Sequence, residues 1–200
     1  MIEPVRVKIW NIVASGNTQH EGQQHGSARL TAKLRNFSRP DTFIGLRAWN
    51  DNAENLAAFI HYSSPWAPVV NFFGYSWGNG NLGRNLAEAL QKYNIRIENW
   101  IACDPVYRSK MAEYIPGFGH MARAIGVLRQ ADIKIPSNVM RVQSFIQSNK
   151  IPRGARIVAT SPMTMIEQPI DLSAKGYGHN EMDEAEEWHS AAIACAERYR

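Results

Sequence analysis

The sequence predicts an α/β domain, a three-layer α/β/α sandwich built around a mostly parallel sheet. Three observations predict it. From residue 5 to residue 103, apolar β-type runs alternate with helical runs, and that alternation favours parallel strands joined by right-handed crossovers. Val69-Val70-Asn71-Phe72-Phe73 passes directly into Gly74-Tyr75-Ser76-Trp77-Gly78 and then into helical sequence. The third observation is bulk: 200 residues with 44% hydrophobic and 10% aromatic content suffice for one core that buries roughly 70% of the unfolded surface. A single domain over residues 1–200 is expected.

Residues 5–14 (VRVKIWNIVA) alternate and then turn apolar, as a strand does on entering the middle of a sheet, and they end in Ser15-Gly16-Asn17. Residues 28–37 read as a short basic helix closed by Ser38-Arg39-Pro40-Asp41. A second strand is expected over 42–49. Asn50-Asp51-Asn52 then offers side-chain caps to a helix over 53–62, whose apolar face is Leu56, Ala57 and Ile60. Pro65-Trp66-Ala67-Pro68 punctuates the chain before the strand that starts at Val69. Beyond that strand, Leu82, Leu86, Ala89 and Leu90 recur at helical spacing. Residues 97–103 form a fourth strand ending in Asp104-Pro105.

Over 106–137 the pattern loosens. Tyr107, Met111, Tyr114, Phe118 and Ile125 are apolar, while Pro116, Gly117 and Gly119 interrupt any long helix. Two readings stay open for this insert: a cap or lid over the carboxyl ends of the strands, or an excursion that fills ordinary core. Further strands are expected at 139–146 and 155–159, with an edge strand or extended arm at 165–172. Gly176-Tyr177-Gly178-His179 reads as a flexible loop. Residues 181–199 close the chain as a helix whose acidic first turn suits the positive end of its dipole.

Charge and cysteine usage narrow the class. The formal net charge is +4, but the 22 basic residues form no run, so a mildly basic surface is expected and no nucleic-acid partner. Cys103 and Cys195 make no disulfide framework and read as reduced core thiols. Met1 to Arg6 opens into a strand without an apolar secretory core, and no stretch approaches the roughly 18 apolar residues of a membrane span. The expectation is a cytoplasmic protein without a membrane span; its oligomeric state is not legible.

Gly74-Tyr75-Ser76-Trp77-Gly78 is Gly-x-Ser-x-Gly in the strand–turn–helix setting of a nucleophile elbow, where the serine sits on a strained turn and small flanking residues avoid collisions. A rival pattern overlaps it. Gly78-Asn79-Gly80-Asn81-Leu82-Gly83 spells Gly-x-Gly-x-x-Gly, and Asp104 follows about twenty residues later, as a dinucleotide site requires. In that fold the first glycine comes directly after the strand. Here Gly74-Tyr75-Ser76-Trp77 intervenes, which favours the elbow.

A serine hydroxyl becomes a competent nucleophile when a histidine takes its proton and a carboxylate orients that histidine. His20 and His25 lie in a polar early loop, His61 at a helix end and His189 within the last helix. His179, in the late glycine-rich loop, can reach over the sheet and is the favoured base, with His120 second. Asp104 ends the strand after the elbow helix and is the favoured acid. Asp51 and Asp171 are fallbacks, and Asp183 reads as part of the start of the terminal helix. The order Ser76, Asp104, His179 is the hydrolase order of nucleophile, acid and base. The expected oxyanion donors are the backbone N–H of Trp77 and a second N–H from Ser15 or Gly16.

Phe73-Gly74-Tyr75-Ser76-Trp77-Gly78, Ala102-Cys103-Asp104-Pro105-Val106-Tyr107-Arg108 and Gly178-His179-Asn180-Glu181-Met182-Asp183 together resemble a small α/β-hydrolase of the lipase and thioesterase-like kind found in bacterial and phage genomes. The resemblance implies a minimal version of that fold, beginning at the family's third strand, with the acid one strand earlier than most members place it. It also implies a serine hydrolase that cleaves a small-molecule ester or acyl substrate through an acyl-enzyme and needs neither metal nor organic cofactor. The loop after the first strand lacks the His-Gly pair of many relatives. Two other functions remain as alternatives: a dinucleotide-binding oxidoreductase using Gly78, Gly80, Gly83 and Asp104, and a hydrolase-fold binding protein without catalysis.

Overall fold

The computed structural model describes residues 8–17, 19, 23–64, 67–107 and 131–199. The expected cap, in large part, and His120 lie outside the described residues, as does His20. The central sheet has the order β2-β1-β3-β4-β6-β8, with β9 also on β6, and each described pairing is parallel. Its strands are β1 (Ile9–Ala14), β2 (Thr42–Arg47), β3 (Val69–Tyr75), β4 (Ile97–Cys103), β6 (Val139–Ile146), β8 (Met165–Ile166) and β9 (Ile170–Asp171). A separate parallel pair joins β5 (Ile133–Ile135) to β7 (Ile157–Ala159). The helices are α1 (Gly26–Arg35), α2 (Ala53–Ser63), α3 (Arg84–Gln91) and α4 (Glu186–Glu197).

The fold follows from burial on both sides of the sheet. Alternate residues of each strand face opposite ways. Ile12, Val70, Phe72 and Trp100 therefore join one buried cluster with Leu56 and Ile60 of α2 and Leu86 and Leu90 of α3. Val13, Phe73, Tyr75 and Ile101 join a second cluster with Leu30 and Leu34 of α1 and Trp188 and Ala192 of α4. Continuous apolar strands are the sequence signature of such a doubly covered parallel sheet. One polar line crosses it: Asn71 donates to Asn11 at 2.9 Å and Asn99 donates to Asn71 at 2.8 Å, all three buried.

Register places the carboxyl ends of the strands side by side. Ala14 pairs with both Arg47 and Gly74, Gly74 with Ala102, and Cys103 with Phe145. The loops after β1, β2, β3, β4 and β6 thus leave the sheet at one level, where ligands collect in parallel α/β sheets.

Several elements differ from expectation. The first helix starts at Gly26, because the His25 side chain accepts the Ala28 N–H at 3.2 Å and caps it. The edge arm reduces to two short strands, β8 and β9. The segment before the terminal helix is ordered by local bonding instead of forming a flexible loop: Ser173–Lys175 and His179–Glu184 are 3-10 turns, and Glu181 accepts the Gly178 N–H at 3.0 Å. The terminal helix therefore begins at Glu186. Among the described residues, no helix is long and apolar enough to cross a membrane.

Candidate active site

Ser76 follows β3 with φ of 50°, a left-handed conformation that costs a non-glycine residue about 1–2 kcal/mol. Surrounding bonds hold it there. Its N–H donates to Cys103 O at 3.0 Å, and its carbonyl accepts from Asn79 N at 3.1 Å and Val106 N at 3.0 Å. Beneath the turn, the buried Asn79 amide donates to Gly74 O at 2.8 Å and accepts the Trp100 indole N–H at 2.9 Å. The chain then enters a π-helical stretch, Gly78–Gly83, that continues as α3. A Cβ on Gly78 would stand 2.7 Å from Ser15 O, and one on Gly80 2.1 Å from Val106 O. These two glycines serve close packing inside a helix, so the Gly-x-Gly-x-x-Gly pattern has a structural use without a phosphate.

The structure brings Ser76, His179 and Asp104 together. Ser76 Oγ lies 2.8 Å from His179 Nε2, and His179 Nδ1 lies 2.6 Å from Asp104 Oδ2. The three are 3%, 9% and 0% exposed, so the chain of bonds is shielded from water. A carboxylate accepts, so His179 Nδ1 is the nitrogen that donates to Asp104, and Nε2 is the one placed to accept from the hydroxyl. Tyr75 orients the histidine: its hydroxyl donates to His179 O at 2.7 Å and its ring stacks on the imidazole at 5.4 Å. Burial, reinforced by nearby acidic groups, pushes the Tyr75 phenol far up, so it stays a donor.

Asp104 also sits at positive φ, 37°, with its N–H held by Phe145 O at 2.7 Å. Its Oδ2 accepts a second hydrogen bond, from Gln147 Nε2 at 3.0 Å. Gln147 is itself fixed: its two amide hydrogens are shared among Asp104 Oδ2, Lys150 O at 2.9 Å and Pro152 O at 2.8 Å, and its carbonyl accepts from Lys150 N at 2.8 Å. The sequence reading missed this residue. Its one available signal was its place just past the end of β6.

The expected oxyanion donors have mixed fates. Trp77 opens the helix directly after the serine, its indole 5.3 Å from that of Trp49. The Ser15 N–H is committed to Arg47 O at 3.0 Å, extending the β1–β2 pairing. The Gly16 N–H donates to the Gln19 side-chain carbonyl at 2.9 Å. Of the two loop residues, Gly16 has the partner that can be displaced without opening the sheet.

The remaining candidates are employed elsewhere. Asp171 is exposed and bonded to Ser173, and Asp51 lies beyond β2. Asp183 does not cap the helix that follows it: its buried carboxylate accepts from Gly26 N at 2.6 Å at the start of α1, and from Gln19. His189 bridges α4 and α1, donating from Nε2 to Asp183 O at 2.8 Å while Nδ1 accepts from the Lys33 ammonium at 3.0 Å. Burial first, and then Lys33, lowers its pKa. Cys103 and Cys195 are buried free thiols, both pushed up by burial. Among the described residues, no group of His, Cys, Asp and Glu could hold a metal ion.

No protein-family model matches the sequence, and no curated protein matches it.

Proposed function

We propose that this chain is a serine hydrolase that cleaves carboxylic ester or thioester bonds through an acyl-enzyme, on a minimal α/β-hydrolase fold. The observation that carries the reading is the continuous Ser76–His179–Asp104 chain of 2.8 Å and 2.6 Å contacts, with the serine held at positive φ after a strand. Ser76 Oγ attacks the carbonyl carbon as His179 Nε2 takes its proton. Asp104 stabilises the resulting imidazolium, which then protonates the leaving alcohol or thiol. Water repeats the sequence on the acyl-enzyme. The Trp77 N–H receives the oxyanion, together with the Gly16 N–H once the oxyanion replaces Gln19 Oε1; each such donor is worth about 3 kcal/mol of barrier.

The test is covalent labelling by a fluorophosphonate, read alongside turnover of chromogenic esters from acetyl to long acyl chains. Labelling and turnover are expected in the wild type, with loss of both in Ser76→Ala. Turnover should fall by a factor of about 10³ or more in His179→Ala and Asp104→Ala. Labelling that persists in Ser76→Ala sinks the proposal.

A further inference from the structure

We propose that the cavity beside the ends of β1 and β2 binds a carboxylate on the substrate, so that the preferred ester carries one negative charge on the part that enters it. The substrate class rests on the hydrolase reading; the binding site does not. The cavity has a volume of about 630 Å³, and Ser15, Gln19, His25, Arg35, Arg47 and Asp51 supply its polar wall. Its remaining lining includes Phe43 and Leu46 of β2.

Its position fits an acyl or alcohol pocket. Arg47 pairs with Ala14, and Ala14 with Gly74, two residues before the nucleophile. Arg47 therefore stands two strand spacings, about 10 Å, from Gly74 at the same level of the sheet. Ser15 continues into Gly16, where a Cβ would lie 3.2 Å from Ser76 Cβ. The cavity wall is thus continuous with the loop beside the reacting hydroxyl, within the length of a short diacid ester.

The charge of the wall sets the ligand. Arg47 lays its guanidinium over the Phe43 ring at 5.6 Å, and its Nε is buried with no hydrogen-bond acceptor. A buried donor on a cation without an acceptor is costly and is relieved by an oxyanion. Among the described residues, neither Arg47 nor Arg35 forms an ion pair. Burial lowers the His25 pKa and favours its neutral form. Two guanidinium groups against the Asp51 carboxylate leave one net positive charge, which suits a monoanion better than a dianion. The planar guanidinium fork matches a carboxylate in shape as well.

The experiment is a calorimetric titration of full-length Ser76→Ala, which cannot turn over its ligand, with monomethyl glutarate and with its neutral analogue dimethyl glutarate. The monoanion is expected to bind about tenfold tighter or more. Adding Arg47→Met should remove that difference; the change keeps an apolar stem on Phe43 and the backbone carbonyl that Ser15 needs. Where the Met variant does not fold, Arg47→Lys keeps the charge without the fork and should weaken the monoanion by about threefold or more. Equal binding of the two probes, no binding of the monoanion, tighter binding of inorganic phosphate, or a preference unaltered by the Arg47 change each overturns the proposal. Fluorophosphonate labelling of wild-type Ser76, run in parallel, reports on the hydrolase reading alone. Labelling with equal probe binding defeats only the subsite, and a carboxylate preference without labelling defeats only the hydrolase.

Discussion

At the scale of single residues, Gln147 carries a consequence that a merely packed side chain would not. Its amide shares Asp104 Oδ2 with His179, so it draws carboxylate charge away from the imidazole while fixing the carboxylate plane. Gln147→Met removes the donor and leaves that charge to favour the imidazolium. The expected outcome is a loss of about tenfold in kcat/KM, the size of one hydrogen bond to a charged group. The acidic limb of the pH–rate profile should also move to higher pH. A pH–rate profile that falls in height without moving along the axis would assign Gln147 to packing alone. The sequence pointed to Ser76 through its motif, and to Asp104 and His179 through strand ends and chain order. It could not point to Gln147, whose relation to Asp104 exists only because β6 pairs with β4 across more than forty residues of chain. The Gly16 N–H partner was hidden for a similar reason: a glutamine three residues on has no pattern that marks it as a backbone acceptor.

At the scale of elements, the long strands were legible because their apolar runs are continuous. β4 and β6 fall at the expected bounds, 97–103 and 139–146. Of the short ones, β7 falls within its expected 155–159, and β8 and β9 within the expected arm at 165–172, but β5 was not legible. β5 is Ile-Lys-Ile, too brief to show a period, and its pairing with β7 depends on tertiary contact. The 3-10 turn carrying His179 read as a loop because Gly176 and Gly178 suggest freedom, while the order comes from Glu181 and neighbouring packing. The asparagine line through β1, β3 and β4 makes the sheet testable as a unit. Asn71→Val leaves Asn11 Oδ1 without that donor and Asn99 Nδ2 without that acceptor, inside the sheet. A loss of about 2–4 kcal/mol in urea unfolding is expected. The triple change Asn11→Val, Asn71→Val, Asn99→Val should cost less than Asn71→Val alone, because within the sheet an apolar line strands no partner, and the Tyr199 hydroxyl that loses Asn99 at 3.3 Å is only half-buried. A triple variant less stable than the single one would mean that the line contributes net stabilisation instead of merely satisfying itself.

At the scale of the whole molecule, the early helix and the last one are joined through groups that respond to acid, and the candidate base sits on the same joint. His189 on α4 donates to Asp183 O and accepts from Lys33 on α1, whose ammonium also pairs with Glu186. Asp183 belongs to the turn His179–Glu184, and its carboxylate holds the start of α1. Protonation of His189 would set an Nδ1–H against the Lys33 ammonium and add a buried charge. The folded-state pKa is lowered by burial and by Lys33, with Glu186 and Asp183 acting in the opposite sense. The unfolded chain therefore binds the proton more readily, and folding stability falls as pH drops below the ordinary histidine value of about 6.5. His25, also lowered by burial, contributes with the same sign. Urea unfolding between about pH 7.5 and pH 5.5 should show stability declining with acid in the wild type and a shallower decline in His189→Gln, which keeps a donor for Asp183 O. Equal slopes in the two proteins would remove His189 from the account. Because His179 is carried by the turn that this joint anchors, ester turnover in the wild type should fall more steeply on the acid side than in His189→Gln. The difference between the two profiles separates loosening of the scaffold from titration of the site itself.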